Sequence, residues 1–394
     1  MKYVEKKHYL IIGAGIIGSS IAREISRRGL GKVTVLEKEQ NLGMHASGRN
    51  SGVVHSGINQ KPGSIKAELC LKGNALLKQF CRKHKVRIEE VGTLVISNSD
   101  EDDEILEQLM AMGKRVGVPG LKIIDSGELK KREPEVVGRK ALLSPSGAIV
   151  DSIGFLEAVV KDAKKHGAEF IMGAKVSGIH RNSVKTRKEI FEADHIINCA
   201  GLYSDKIAHM MEAGKGIRIV PFRGEYMEVE NLNIQSMVYQ APDLNFPFLK
   251  VHLTRTVDGK VLAGPTATLA MGREAYRKGM HIGEFLGMAS SVNFMRLILR
   301  ESFRKLVAEN AKVTVSKKAF LKEIQVISPS VKKRDLKKHP PGIRAQPIDR
   351  KGNILKDMLV EFNDNSTHIL NAVSPGLTAS LAFAEYVVDR IENK

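Results

Sequence analysis

The chain has 394 residues, 42% apolar residues and no tryptophan, so it has room for two domains or for one domain with an insertion. Its three cysteines, Cys70, Cys81 and Cys199, have neither metal-ligand nor redox spacing, and they fit a reducing compartment better than a disulfide framework. A strand-like segment begins at His8 and no apolar run reaches the length of a membrane span. We therefore expect a cytoplasmic protein without a targeting peptide, a transmembrane helix or a metal site.

The formal net charge is +18 at pH 7, with basic clusters at residues 181–188 and 331–338. Aromatic residues are not interleaved with these clusters, as stacking platforms for nucleic acid would require. We interpret the charge mainly as a solvated surface and expect no nucleic acid partner. Attraction of an anionic substrate, or peripheral contact with an anionic membrane, is the main alternative.

The N-terminal segment reads as a strand, a glycine turn, a helix and a second strand that ends in a carboxylate. Gly13 permits the tight turn, Gly15 lets the backbone approach a pyrophosphate, and Gly18 lets the helix pack closely on the strand. The helix N-terminus offers N–H groups to phosphates. Glu37, after the strand Val33–Leu36, is placed to accept hydrogen bonds from a ribose. The segment predicts a dinucleotide site.

The residues that follow the second strand favour FAD over NAD as the dinucleotide. Residues 45–57 are small, polar and rich in glycine, where a nicotinamide-binding domain would usually continue into another amphipathic helix. A backbone without bulky side chains lets a flat ring system and a diphosphate lie against it. A flexible surface loop is the alternative interpretation.

Two further strand-to-helix junctions have the same character. The first is the strand-like run 195–201, which ends in Ala200 and Gly201. The second is the strand-like run 367–373, which is followed by a turn at Pro375 and by a helix from Leu377. A helix that begins beside a reduced flavin would stabilise the negative charge on its ring, although a C-terminal docking helix without a ligand explains that segment equally well.

These junctions predict an α/β fold with a discontinuous, Rossmann-like FAD-binding domain at residues 1–78, 142–215 and 340–394. The intervening residues 79–141 and 216–339 predict an α+β substrate domain with a mixed or antiparallel sheet, including a hairpin around residues 257–259. Residues 282–308 predict a helix, for which packing against that sheet is favoured over contact with a membrane surface.

Several blocks of sequence carry a resemblance that covers nearly the whole chain. They are residues 50–57, 61–67, 221–226, 246–255 with 262–265, and 342–346 with 371–375. In order and spacing the chain resembles the FAD-dependent oxidoreductases of the D-amino-acid oxidase superfamily, and most of all the L-2-hydroxyglutarate dehydrogenase/oxidase family. The resemblance implies noncovalent FAD, oxidation of an L-2-hydroxy acid to the 2-oxo acid, and a separate electron acceptor such as oxygen, a quinone or a protein.

The chain departs from this family pattern at two places. Ile58, Asn59 and Gln60 stand where the family usually has a valine or isoleucine and two tyrosines, and Gly376 and Leu377 replace two alanines. The first departure bears on which acid is bound, and the second changes side chains near the flavin.

Oxidation of a secondary alcohol needs a base for the hydroxyl proton, and histidine has a suitable pKa. His252, on the predicted substrate sheet, is slightly favoured as the base, with His55 at the flavin edge as the alternative. Arginine can hold a carboxylate with two parallel hydrogen bonds. The other predicted substrate-binding and catalytic residues are Arg223, Tyr226, Arg255 and Arg344.

The predicted FAD-binding residues come from all three junctions and the loops beside them. They are Gly13, Gly15, Ile16, Ile17, Gly18, Glu37, Lys38, Ser47, Asn50, Ser51, Gly52, Val176, Ala200, Gly201, Gly342, Arg344, Pro375, Gly376, Leu377 and Thr378.

The same sequence features also fit other functions. On the same fold, the substrate could be an amine such as sarcosine or glycine, or glycerol 3-phosphate. A flavoprotein that binds RNA through its basic surface is a different class, which a salt-sensitive gel shift would reveal. A cofactor-containing interaction subunit without catalysis is a third.

Overall fold

A computed structural model of the chain describes residues 7–243, 250–276 and 282–393. Its strands, in chain order, are β1 (His8–Ile12), β2 (Lys32–Leu36), β3 (Val53–Val54), β4 (Ile88–Glu89), β5 (Thr93–Ser97), β6 (Lys122–Asp125), β7 (Lys140–Ser144), β8 (Ala148–Val150), β9 (Glu169–Ile171), β10 (Gly178–His180), β11 (Ser183–Lys185), β12 (Ile190–Glu192), β13 (His195–Asn198), β14 (Arg218–Val229), β15 (Met237–Gln240), β16 (His252–Arg255), β17 (Val261–Gly264), β18 (Thr268–Leu269), β19 (Leu336–Ile348), β20 (Leu359–Phe362) and β21 (Ser366–Asn371).

The α-helices are α1 (Ile16–Arg28), α2 (Ile65–His84), α3 (Asp100–Val116), α4 (Ser126–Arg132), α5 (Ser152–Lys165), α6 (Ser204–Met210), α7 (Ile282–Ala289), α8 (Val292–Leu299), α9 (Glu301–Val315), α10 (Lys317–Gln325) and α11 (Gly376–Glu392). Short 3-10 helices occupy Gly201–Tyr203 and Lys333–Asp335.

The first sheet has six strands in the order β20-β21-β13-β1-β2-β9. Its β1, β2, β9, β13 and β21 pair in parallel, and β20 is an antiparallel edge strand. Alternate residues of β1 point to opposite faces. Tyr9 and Ile11 pack with residues of α1 and α11, whereas Leu10 and Ile12 pack under the β10-β11-β12 sheet. This doubly covered parallel sheet is the predicted Rossmann-like unit.

The second sheet runs in the order β18-β14-β17-β16-β15-β5-β7-β6, and β19 also pairs with β14. Its pairs are antiparallel except for β15 with β5. The predicted hairpin forms from β16 and β17, with Thr254 opposite Leu262. Residues 246–249, which the sequence assigns to the same strand as β16, lie outside the described residues. The predicted mixed α/β fold class is confirmed.

Two segments join a different sheet from the one that the predicted domain limits imply. Residues 142–144 end β7 and residues 340–348 lie in β19, and both strands belong to the second sheet. A third segment also crosses the predicted limits, because β4, from the predicted substrate residues 79–141, pairs with β8 of the predicted FAD-binding residues in the three-stranded sheet β3-β8-β4. The two-domain division therefore stays a prediction, and at these three places the predicted limits do not follow the sheets.

The predicted helix over residues 282–308 is divided into α7, α8 and the start of α9. Phe294 and Leu297 of α8 pack with Val220 and Phe222 of β14, so one side of α8 covers the second sheet. No single described helix is long and apolar enough to cross a bilayer. Within the described part of the chain, α7 and α8 together are the one pair that meets this criterion of length and composition, and the chain bends by 76° between them.

Candidate active site

A cavity of about 1240 Å³ is lined by residues from both sheets. Its lining includes Gly13, Gly15, Ile16, Ile17, Glu37, Lys38, Ser47, Asn50, Ser51, Val176, Ala200, Gly201, Gly342, Arg344, Pro375, Gly376 and Leu377 from the predicted FAD-binding set. It also includes His55, Tyr226 and His252 from the predicted catalytic set. Residues from distant parts of the chain thus meet at one place, as the sequence predicts.

The glycine turn before α1 brings backbone unusually close to backbone. Gly13 has a φ of +108°, and a Cβ there would lie 2.6 Å from the Cys199 carbonyl oxygen. A Cβ on Gly18 would lie 2.0 Å from the Gly13 oxygen. Because no side chain fits in either place, glycine is required for the turn and for helix packing. Gly18, Gly52 and Thr378 of the predicted FAD-binding set do not line the cavity themselves.

The carboxylate of Glu37 is held in a fixed position at the end of β2. Its Oε2 accepts the Ala14 N–H at 2.9 Å, and its Oε1 accepts the Glu39 N–H at 2.9 Å. Each carboxylate oxygen has a further lone pair for a hydroxyl donor. Glu37 is therefore oriented for the predicted contact with a ribose.

The N-termini of α1 and α11 face the cavity, and in neither helix does the side chain of the N-cap residue bind the free N–H groups of the first turn. Gly15 and Pro375, the N-caps of α1 and α11, provide no side-chain hydrogen bond. The Ser47 hydroxyl accepts the Ile16 N–H at 2.9 Å, and its own O–H remains a donor. The two positive helix ends, together with the close backbone of the glycine turn, fit a diphosphate and an electron-rich ring.

His55 is held through its backbone, so that its ring is left to face the cavity. The His55 N–H donates to Thr378 Oγ1 at 3.0 Å, and its carbonyl accepts from Asn74 Nδ2 at 3.0 Å. Burial, reinforced by the charges of Arg344 and Lys66, lowers the pKa of His55 to about 4. The imidazole is therefore neutral at physiological pH.

His252 lies at the start of β16 with only 6% of its surface exposed. Its Nδ1 lies 3.0 Å from the Lys250 carbonyl oxygen. A carbonyl can only accept a hydrogen bond, so Nδ1 carries the proton and Nε2 has the lone pair. Burial lowers the pKa of His252 to about 4, and nearby Arg344 and His55 act in the same direction.

Tyr226 and Arg344 come from the paired strands β14 and β19. Burial raises the pKa of Tyr226, although nearby Ser51 acts in the opposite direction, so the Tyr226 hydroxyl stays protonated as a hydrogen-bond donor. Burial lowers the pKa of Arg344, but a guanidinium stays charged at neutral pH. A Cβ on Gly342 would lie 2.4 Å from the Arg49 oxygen, which shows how closely β19 approaches the loop at residues 45–57.

The structure does not bring the other two predicted arginines to the cavity. The Nε of Arg223 lies 2.8 Å from Glu225 Oε1, and its Nη1 donates to the Ala275 oxygen at 2.7 Å. Arg255 pairs with Glu89 at 3.1 Å. Both guanidinium groups therefore serve contacts within the fold.

The short segment 272–276, which we call the strap, contacts residues that line the cavity or lie next to it. Arg273 pairs with Asp205, and Glu274 Oε1 lies 2.6 Å from Lys38 Nζ. The Tyr276 hydroxyl lies 2.7 Å from His45 Nδ1. Ligand atoms of Glu39, His45 and Glu274 lie within 4.8 Å of one another, but Lys38 Nζ contacts both carboxylates, which makes this an ion-pair network.

Sequence reasoning missed Lys66, Asn59 and Asn74. Lys66 and Asn59 line the cavity, and Asn74 Nδ2 donates both to the His55 carbonyl and, at 2.9 Å, to the Ser146 carbonyl. Lys66 belongs to a block that carries the family resemblance, so a cation inside that block was the available signal. Asn74 gives no such signal, because nothing in the helical pattern of α2 distinguishes it.

Comparison with known proteins identifies the family. The profile of the family described as DAO, FAD dependent oxidoreductase, matches residues 8–390. An L-2-hydroxyglutarate dehydrogenase of Indibacter alkaliphilus is 36% identical over 399 residues, which cover 96% of this chain and 97% of that protein. One of Escherichia coli K12 is 34% identical over 98% of this chain and 93% of its own.

The structural comparison agrees. The solved structure of dithionite-reduced L-α-glycerophosphate oxidase from Mycoplasma pneumoniae, with FAD bound, has a TM-score of 0.77 and 23% identity, over 99% of this chain and 95% of that chain. At this identity the likeness shows a shared fold. The chain is a member of the FAD dependent oxidoreductase family, in the branch that contains the L-2-hydroxyglutarate dehydrogenases.

Proposed function

We propose that the protein oxidises L-2-hydroxyglutarate to the corresponding 2-oxo acid, with FAD as its cofactor. The similarity to L-2-hydroxyglutarate dehydrogenases over almost the whole chain carries this proposal. The cavity supports it, because neutral histidines and a buried arginine line the same space.

The chemistry that FAD would supply here is acceptance of a hydride from the carbinol carbon. The residues that would hold it are the glycine turn with Glu37, the Ser47–Ser51 loop, Ala200 and Gly201, and the N-terminus of α11. Their backbone N–H groups and small side chains suit a diphosphate and a flat ring.

His252 takes the hydroxyl proton in this proposal. Its Nδ1 proton is committed to the Lys250 carbonyl, so Nε2 is the basic atom. Arg344 holds the carboxylate beside the carbinol carbon, because a buried guanidinium can donate two parallel hydrogen bonds. Tyr226 donates from its hydroxyl to the substrate, and His55 sets the electrostatic environment at the flavin edge.

Anaerobic reduction of the protein-bound flavin tests the substrate. L-2-hydroxyglutarate should bleach the visible flavin absorbance rapidly, whereas its D enantiomer, glycerol 3-phosphate and sarcosine should not. Faster bleaching by sarcosine or glycerol 3-phosphate would replace the proposed substrate with the corresponding alternative. A protein that no member of the panel reduces would not be this enzyme.

We also propose that an acceptor separate from the substrate reoxidises the flavin. Oxygen, a quinone and a protein acceptor differ in how fast each restores the absorbance of substrate-reduced enzyme in stopped-flow mixing. The fastest of the three identifies the class of acceptor.

We further propose a cytoplasmic protein that makes peripheral contact with an anionic membrane. The three free cysteines suit a reducing compartment. Leu286 of α7 and Leu299 of α8 are 59% and 69% exposed, and exposed Ile282, Val292 and Met295 extend this apolar face. The exposed basic residues Arg296, Arg300, Arg304 and Lys305 complement an anionic lipid surface.

A further inference from the structure

Lys66 occupies an unfavourable place for a cation that has only a structural role. It is the second residue of α2, where the positive end of the helix dipole disfavours a positive side chain. Its own N–H donates to Asp357 Oδ1 at 3.2 Å, and the same oxygen accepts the Met358 N–H at 2.8 Å. The local backbone is thus satisfied without the ammonium group.

The Lys66 ammonium also has no close counter-ion. Among the described residues, no carboxylate oxygen lies within 4 Å of its Nζ, whereas Lys72 on the same helix pairs with Glu385 at 2.8 Å. Burial lowers the pKa of Lys66, and Asp357 only partly offsets this effect. A half-buried cation in a cavity without a paired anion favours an anionic ligand.

Lys66 and Arg344 approach the same histidine. Both line the cavity, and the charges of both lower the pKa of His55. Lys66 is on α2 and Arg344 is on β19, so two separate elements each bring a cation to the wall of one cavity.

Asn59 also lines this cavity, and a hydrogen bond to Tyr239 fixes its side chain. Its Nδ2 donates to the Tyr239 hydroxyl at 2.7 Å, and its Oδ1 is buried without a hydrogen-bond partner. Met112 and Met237, also in the lining, offer apolar surface to methylene groups.

Arg344 is assigned to the carboxylate beside the carbinol carbon, which leaves Lys66 as a second cation in the same cavity. We infer that Lys66 forms a second carboxylate subsite that binds the end of the substrate remote from the oxidised carbon. This inference rests on the proposed function, since it makes the cavity selective for a dicarboxylic 2-hydroxy acid over a monocarboxylic one. Lys66 is then a determinant of specificity and has no part in proton transfer.

Binding of unreactive analogues tests the subsite separately from turnover. Glutarate and butyrate both lack the hydroxyl group, and only glutarate has a second carboxylate. Their dissociation constants can be measured from the change in flavin absorbance of the holoenzyme. Lys66→Met should weaken glutarate binding on the order of tenfold to a hundredfold and leave butyrate binding unchanged.

Two further variants control the experiment. Lys72→Met removes the same charge from α2 outside the cavity and should change neither constant. Lys66→Gln, which keeps a polar side chain of similar length, should also lose the preference for glutarate and serves if the methionine variant does not fold. Equal weakening of both ligands, or no change, would overturn the assignment of Lys66.

The outcome is distinguishable from failure of the proposed function. If L-2-hydroxyglutarate does not reduce the flavin but the wild-type protein prefers glutarate and the Lys66 variants do not, the subsite stands for another dicarboxylate. If L-2-hydroxyglutarate is oxidised and its KM is the same in Lys66→Met, the function stands and the subsite is wrong.

Discussion

At His252 a single backbone contact decides which ring nitrogen can act as a base. Nδ1 donates to Lys250 two residues earlier, and burial keeps the ring neutral. Because its pKa is lowered, His252 is unprotonated at neutral pH and can accept a proton, but it is a weaker base than an ordinary histidine. Arg344 then has to stabilise the substrate carboxylate close to that neutral ring.

We predict that His252→Gln lowers kcat by about a hundredfold or more while FAD stays bound, because general base catalysis typically contributes a factor of that size. The wild-type kcat/KM should be independent of pH above about 6 and should fall as the pH approaches 4, where the ring becomes protonated. Steady-state kinetics over pH 4–8 measure both. His180→Gln, on the exposed end of β10, is the control, and a full pH profile with normal kcat in His252→Gln would assign the base elsewhere.

The two arginines that miss the cavity show what residue type alone leaves undetermined. Successive side chains of a strand point to opposite faces. Arg255 is three positions from His252 on β16, so it faces away from the site. Arg223 pairs with Glu225 on one face of β14, while Gly224 and Tyr226 line the cavity on the other. The sequence indicated the right blocks, and strand alternation could have excluded these arginines once the strand limits were known.

Among elements, those with long periodic patterns were predictable and the short or proline-containing ones were not. The sequence located α1, α3 and α11 and the core strands of the parallel sheet to within a few residues. It missed the β3-β8-β4 ribbon, whose strands have only two or three residues. It also placed a domain limit at residue 340, inside β19, although β19 pairs with β14 on both sides of Pro340 and Pro341.

The glycine turn gives a matched pair of variants at the two ends of α1. Gly13→Ala places a Cβ against the Cys199 carbonyl at a positive φ, so it should cost about 3 kcal/mol and yield protein without FAD. Gly29→Ala, at the helix C-cap with φ +67° and open space around it, should cost about 1 kcal/mol and keep FAD. Thermal unfolding and the flavin absorbance of the purified proteins measure both effects. Full FAD content in Gly13→Ala would contradict the close approach.

The apolar face of α7 and α8 makes a prediction about lipid binding. Leu286→Glu with Leu299→Glu should abolish sedimentation with vesicles that contain phosphatidylglycerol and leave kcat unchanged, because both side chains are exposed outside the cavity. Ile190→Glu, which alters a 64% exposed residue of β12, is the control. Equal binding of wild type to vesicles of phosphatidylcholine alone would remove the electrostatic part of the proposal, and absence of wild-type binding would remove all of it.

The whole molecule contains histidines that fold in the neutral form. Burial lowers the pKa of both His252 and His368 to about 4, and each of these side chains is less than a tenth exposed. In the unfolded chain their pKa is about 6.5. Between these values the unfolded state binds more protons, so folding stability is fully present above about pH 6.5 and is lost as the pH falls toward 4.

We therefore predict a steep loss of stability with acid in this window. Each of the two histidines should lower the free energy of unfolding by about 1.4 kcal/mol per pH unit at most. Denaturant unfolding at pH 7, 6 and 5 measures the slope, and His368→Asn should make it shallower. A free energy of unfolding that does not change over this range would mean that the buried rings take up protons without unfolding.

The strap connects the second sheet with the FAD site, so substitutions in that sheet can affect how tightly FAD is held. Residues 272–276 follow β18 of the second sheet. Glu274 nevertheless pairs with Lys38, and Tyr276 hydrogen-bonds to His45, close to Glu37 and its proposed contact with the adenosine ribose. A substitution in the second sheet that displaces the strap would therefore first weaken the binding of FAD at the first sheet. Such a variant would be nearly colourless after purification because it has lost FAD. Adding FAD should restore both its yellow colour and its resistance to heat.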